Sequence, residues 1–142
     1  MKQLILSLLI LLQTITIGNE IHYFYLERGC YSYRTTGFAY KEAITIGESW
    51  GEWSEWMASN IPVTINLDDD VIIVYSKMRQ TFRILRYVGE YPDDMGGEQY
   101  EWKAIDQDND RCRIRFRVDI NGKRQLYIEY ANIKWVYNLK KK

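Results

Sequence analysis

The chain carries one histidine, two cysteines and two prolines in 142 residues, and neither sign of charge prevails, with 19 Lys+Arg against 19 Asp+Glu. One His and two Cys supply too few ligands for the usual zinc site, so no metal and no cofactor are expected. A Ser-His-Asp or Cys-His mechanism would rest on His22 alone, which has no nucleophile at a meaningful spacing. The balanced charge lacks the basic surplus of a general nucleic-acid binder. No apolar run reaches the roughly 20 residues of a membrane-spanning helix. Bulky residues are plentiful instead: 46% of the chain is hydrophobic, with 12 Tyr, 5 Trp and 4 Phe. That excludes disorder and suits one domain with a sizeable core.

The first eighteen positions read as an address. Lys2 precedes an apolar run, 4–12, broken only by Ser7, and Thr16 and Gly18 are small enough for the positions that signal peptidase reads. A charged start, a short apolar stretch and a small-residue end describe a secretory signal peptide over 1–18, leaving a single domain over 19–142. No Cys stands at the cut, which disfavours a lipid anchor, and no membrane span remains after cleavage. Export implies an oxidising compartment, where Cys30 and Cys112 can pair or stay as two separate buried thiols.

Alternation with period two dominates after residue 32. Cys112, Ile114, Phe116 and Val118 alternate with Arg111, Arg113, Arg115 and Arg117; Leu126, Ile128 and Tyr130 form another such face, as do Ile133, Trp135, Tyr137 and Leu139. Upstream, Val63, Ile65 and Leu67 share a face that Val71, Ile73 and Tyr75 are expected to continue. Because paired residues point to one side, parity sets the hairpins. A three-residue loop 120–122 pairs Phe116 with Leu126 and Ile114 with Ile128. A two-residue turn at Ala131-Asn132 pairs Ile128 with Trp135, and the 107–109 loop pairs Trp102 with Ile114. A turn at Met78-Arg79 pairs Tyr75 with Phe82. Strands are expected at 33–40, 52–57, 61–67, 71–76, 80–88, 98–106, 111–119, 124–130 and 133–139. The fold class is all-β, an antiparallel up-and-down meander of 8–9 strands, which removes its edges best by closing into a small lipocalin-like or streptavidin-like barrel. A two-sheet β-sandwich is the alternative.

Several features bear on function. The inward list is aromatic (Tyr75, Phe82, Tyr100, Trp102, Phe116, Tyr130, Trp135 and Tyr137), which suits either a ligand pocket or a filled core. The arginine ladder 111/113/115/117 resembles an anion-binding stripe, yet register sets Arg113 opposite Glu129 and Arg115 opposite Glu101, ordinary cross-strand pairing. Trp50, Trp53 and Trp56 recur at every third position, as in thrombospondin type 1 repeats, and Trp53-Ser54-Glu55-Trp56-Met57 is similar to the cytokine-receptor WSXWS box. Both families interleave tryptophan with arginine in cation–π stacks. The cysteine framework is missing and Met57 replaces the final serine, so the match reads as convergence, with these tryptophans at the barrel rim or in a contact patch. Ile72, Val74, Leu85 and Tyr87 make a second apolar face that needs cover, from 21–26 or another chain. The run 106–110 imitates a calcium loop, but Arg111 and Arg117 stand where an EF-hand needs Gly and Glu.

Gly37-Phe38-Ala39-Tyr40-Lys41, Trp53-Ser54-Glu55-Trp56, Ile73-Val74-Tyr75-Ser76 and Trp135-Val136-Tyr137-Asn138-Leu139, with the leader, resemble small exported proteins of Bacteroides-type gut bacteria. The resemblance implies a periplasmic or secreted location and carries no activity. The expectation is a non-catalytic binding barrel for a small or partly apolar ligand, monomeric or weakly dimeric. Its ligand would meet Tyr75, Trp102, Tyr130 and Trp135 inside, and Trp53 and Trp56 at the rim. A protein-binding module, such as an enzyme inhibitor acting through 89–97 and the second apolar face, is the competitor. An enzyme ranks third, since no titratable constellation stands out.

Overall fold

The computed structural model describes residues 27–142; the expected leader at 1–18 and the segment 21–26 lie outside the described residues. Ten strands follow in chain order: β1 Cys30–Thr45, β2 Ser49–Trp50, β3 Met57–Ala58, β4 Pro62–Asn66, β5 Val71–Val74, β6 Gln80–Pro92, β7 Glu98–Asp106, β8 Arg111–Val118, β9 Arg124–Glu129 and β10 Ile133–Lys141. Every pairing is antiparallel. The circuit β1-β4-β5-β6-β7-β8-β9-β10 closes because β10 also pairs with β1, from Tyr33 opposite Lys141 to Glu42 opposite Ile133. The protein is thus a closed antiparallel barrel, and the sandwich is excluded. Short strands β2 and β3 lie against β1 outside the circuit. Among the described residues no helix is long and apolar enough to cross a membrane.

Alternating apolar residues form the strands because each sheet position sends successive side chains to opposite faces. In β8, Cys112, Ile114, Phe116 and Val118 are buried while the arginines between them lie outside. Three hairpins keep the expected register: Phe116 faces Leu126, Ile128 faces Trp135 and Trp102 faces Ile114. The waist of the barrel is filled. Phe82, Tyr100, Phe116, Ile65, Ile72, Ile114, Leu126 and Ile128 are essentially without solvent contact, and Phe116 meets Tyr33 and Tyr100 at ring-centroid distances of 5.6 and 6.4 Å. The buried hydroxyl of Thr35 is satisfied: Oγ1 accepts from the Ile61 N–H at 2.8 Å and lies 2.7 Å from Ser59 Oγ. Between Thr35 and Gly37 the pairing of β1 with β10 shifts register through a bulge.

Two expectations are overturned by local chemistry. The β4–β5 connection spans four residues, so Ile65 faces Ile72, and Ile72 with Val74 points inward in place of Val71, Ile73 and Tyr75. Asn66 sets this length: its carboxamide oxygen accepts from the N–H groups of Asp68 and Asp69, and Nδ2 donates to Asp69 at 3.0 Å. Asp70 closes the turn at φ 54°, a left-handed conformation that a short polar side chain tolerates. The shift carries into the next hairpin, where Phe82 faces Ile72 and not Tyr75. The second apolar face therefore does not exist as expected, because half of it is core.

The expected strand 52–57 is the other correction. Phe38 pairs with Met57 and Ala43 with Trp50, so more residues lie between the two tryptophan-run contacts than β1 can match. The excess bulges outward, held by Ser54 N–H to Tyr40 O at 2.7 Å and Tyr40 N–H to Ser54 Oγ at 2.9 Å.

Cys30 and Cys112 are free thiols, which corrects the possible disulfide. Cys30 opens β1 beside the 67–70 turn, and Cys112 opens β8 beside the 107–110 loop. Alternate connections of a meander lie at opposite ends, so the two sulfurs are separated by the length of the barrel. Burial, reinforced by Asp106, pushes the Cys112 thiol up to about 12, which leaves it inert in the folded state. Intact mass is therefore expected to be unchanged by reduction, and an alkylating reagent at neutral pH should label one cysteine natively and two in denaturant. A mass two hydrogens lighter before reduction would refute this.

Candidate functional site

The barrel opens at the end bearing the 67–70 turn and the β6–β7 hairpin. Arg28, Leu67, Asp70, Tyr87, Glu90, Tyr100 and Trp102 line a cavity of about 500 Å³ there. Its origin is a mismatch in strand length. β5 reaches only to Val71 opposite Arg83, whereas β6 continues to Pro92 paired with β7. Beyond Ile84, whose N–H reaches Asp70 O at 2.7 Å, the edge of β6 has left its neighbour and the sheet parts.

Two bulges in β6, between Ile84 and Arg86 and between Tyr87 and Gly89, re-aim the side chains along this stretch. Gly89 has φ 150°, a conformation other residues avoid, and it allows the second bulge. As a result Tyr87 stands opposite Trp102 with ring centroids 6.2 Å apart, and Glu90 stands opposite Tyr100. Tyr87, expected on the second apolar face with Leu85, forms the half-exposed lip of the cavity instead. Tyr100 and Trp102 make the buried wall. The Tyr100 hydroxyl is buried without a hydrogen-bond partner among the described residues. Burial, aided by Glu90 and Glu98, raises its pKa well above that of an ordinary phenol, so it keeps its proton and remains a donor.

The six residues proposed from sequence do not form one site. Trp102 belongs to the cavity. Tyr130 and Trp135 stack at 5.5 Å toward the opposite end, where the Tyr130 hydroxyl donates to Asp106 at 2.6 Å. Tyr75 lies outside the interior, with Arg79 5.4 Å from its ring. Trp53 and Trp56 lie on the outer wall: Trp53 meets Tyr127 edge-on at 6.2 Å, and the Trp56 ring packs over Gly37. Lysine and arginine do interleave with rings on that wall, Lys41 with Trp53, Lys134 with Trp50 and Arg115 with Tyr127, at 4.8, 4.2 and 4.3 Å. This arrangement shields Ala39 and Val136, both buried on the outer face of β1 and β10.

Sequence reasoning missed Arg28, Asp70, Tyr87 and Glu90. Only Gly89, an isolated glycine within a strand, signalled a bulge there.

Three rungs of the arginine ladder are ion-paired, mostly on the diagonal of the backbone register. Arg113 reaches Glu101 at 2.9 Å and Arg115 reaches Glu129 at 2.6 Å. Arg117 reaches Asp93 at 2.6 Å, a partner on the β6–β7 loop. Asp93 also accepts from the N–H groups of Met95 and Gly97, and a Cβ on Gly97 would stand 2.5 Å from Val118 O. The 93–97 loop is therefore pinned to β8, although the Met95 side chain is exposed. The 106–110 loop is turn chemistry: Asp106 Oδ1 accepts from the N–H groups of Asp108 and Asp110. Among the described residues no group of three or more His, Cys, Asp and Glu is placed to hold a metal ion. Comparison with protein-family models, with curated proteins and with solved structures finds no match for this chain.

Proposed function

We propose that this is an exported, non-catalytic binding protein that takes a small, partly apolar ligand into the cavity at one end of its barrel, in the manner of lipocalin-like barrels. The observation that carries this reading is the cavity of about 500 Å³ where β6 parts from β5, with Tyr87 half-exposed at its lip among Arg28, Asp70 and Glu90. The volume falls within the roughly 300–1,000 Å³ typical of small-molecule sites, and two aromatic faces with a few polar groups are the usual lining. Export rests on the tripartite leader at 1–18, which places the molecule where it meets small solutes before the cell interior does.

The test is binding by the leaderless chain. Native mass spectrometry of protein purified from periplasm or medium should show a bound small molecule. A panel of amines, heterocycles, fatty acids and glycans should raise the thermal midpoint for at least one class, and Trp102→Ala should abolish that shift. No bound species, together with unchanged midpoints and tryptophan fluorescence across the panel, would sink the proposal.

A further inference from the structure

The side of β6 that faces away from β7 runs out of partners. Pairing with β5 ends where Val71 meets Arg83, and the Ile84 N–H reaches Asp70 O at 2.7 Å. From Leu85 to Tyr91 no described residue bonds to that edge, while the other edge stays on β7. Leu85, Tyr87 and Val88 are exposed along it. A long bare strand edge with apolar side chains invites a further strand, and proteins normally cover it. The chain upstream of β1 arrives at the same place. Arg28 lines the cavity beside Tyr87 and Glu90, Gly29 O accepts from the Leu67 N–H at 2.8 Å, and the Tyr31 hydroxyl donates to Glu27 O. These contacts hold the start of the described chain beside the 67–70 turn, so the residues before Glu27 enter next to the open edge.

We infer that the chain's own segment Ile21-His22-Tyr23-Phe24-Tyr25-Leu26 docks on β6 along 85–91 as an added antiparallel strand. Direction agrees. Successive neighbours in the circuit β1-β4-β5-β6 are antiparallel, so β1 and β6 run oppositely, and a segment running in the sense of β1 meets β6 antiparallel. Length agrees as well, since a stretch of this size at about 3.3 Å per residue spans about 20 Å, close to the bare edge. Composition agrees, because Ile21, Tyr23, Phe24 and Tyr25 are strand formers with no Gly or Pro among them. The short tether selects this occupant over a second copy: it makes the pairing intramolecular, at an effective concentration in the millimolar range. The added strand continues the wall where β5 stops. The inference goes beyond the ligand reading and holds whether or not the cavity is filled.

The experiment follows amide hydrogen exchange by NMR in the leaderless chain and in a variant carrying Tyr23→Pro and Tyr25→Pro, which removes two strand donors. Those amides of 85–91 that do not bond to β7 are expected to exchange at least roughly tenfold faster in the variant. The β8 amides should be unchanged, which shows that the barrel is intact. Phe24→Asp, which keeps every backbone donor, is the second variant and should speed the same amides by a smaller factor. Proton–proton contacts between 21–26 and 85–91 should also appear in the parent. A mixture of labelled and unlabelled chains tells their source. Contacts within one chain support the inference, whereas contacts only between chains assign the edge to a second copy and overturn it. Equal exchange at 85–91 in the parent and both variants also overturns it, and leaves the cavity reading untouched.

Discussion

Phe116→Ala is expected to cost about 3–5 kcal/mol, the range for truncating a fully buried aromatic. The ring sits at the waist of the barrel, 2% exposed, between Tyr33 and Tyr100. Strand backbones hydrogen-bonded on both sides cannot collapse into the space, so most of the void persists. Set against a total stability of about 5–15 kcal/mol for a domain of ordinary size, this one change removes a large share. Urea denaturation should show the midpoint falling steeply with an unchanged slope, while Phe116→Leu should lose only about 1–1.5 kcal/mol. The effect should also reach the cavity. Tyr100 leans on Phe116, so truncation frees the wall that carries the partnerless hydroxyl, and ligand affinity should fall even where the variant is fully folded. A loss below about 1 kcal/mol would mean that the interior is looser than the packing described here.

Asp93→Ala is expected to cost about 3 kcal/mol at neutral pH, because it strands several donors at once. The Asp93 carboxylate is 7% exposed and accepts from the Met95 and Gly97 N–H groups and from Arg117 Nε. Burial alone would raise its pKa, but those backbone donors and the Arg117 guanidinium outweigh it and hold the carboxyl below its ordinary range. Asp106 is depressed in the same way, burial again being outweighed, here by the Tyr130 hydroxyl and the N–H groups of Asp110 and Asp108.

The direction of the pH effect follows. A carboxyl whose folded pKa lies below its unfolded value of about 3.9 adds stability above that value. The contribution declines as pH falls below about 4 and is gone once pH drops under the folded pKa. Stability should therefore be nearly flat from neutrality to about pH 5 as far as these two groups decide it, then fall. Asp93→Asn, which keeps an acceptor and loses the charge, should flatten the acid limb, and pairing it with Asp106→Asn should flatten it further. An acid limb as steep in the double variant as in the parent would assign the effect to other carboxylates.

Alternation fixes the register of some hairpins of this barrel and not of others, according to which residue controls the turn. Between β7 and β10 each connection is short and its turn residues act through their own backbones or side chains within the loop. The 120–122 loop is an example: Gly122 sits at φ 81° and Asp119 accepts from Asn121 and Lys123 N–H, so register follows from counting. At β4–β5 the controlling group is Asn66, the last residue of the strand itself, whose side chain captures two N–H groups and enlarges the turn by one. A residue at the end of a strand looks the same in sequence whether it caps the turn or points to solvent. One added residue reversed every inward assignment in β5 and moved Tyr75 out of the interior.

What the amino-acid sequence determined by itself is the antiparallel all-β meander, the inward face and hairpin register of β7 to β10 and the cross-strand charge pairing along the arginine ladder, because period-two alternation is a local property that each strand writes independently. The tertiary structure alone decided the rest. The disulfide fails because the barrel places Cys30 and Cys112 at opposite ends, and the tryptophan run lies on the outer wall because β1 cannot match its length. The cavity exists because β6 outlasts β5 and bulges twice, bringing Asp70, Tyr87, Glu90, Tyr100 and Trp102 around one space. Such a site depends on differences in length between neighbouring strands, and no single strand records the length of its neighbour.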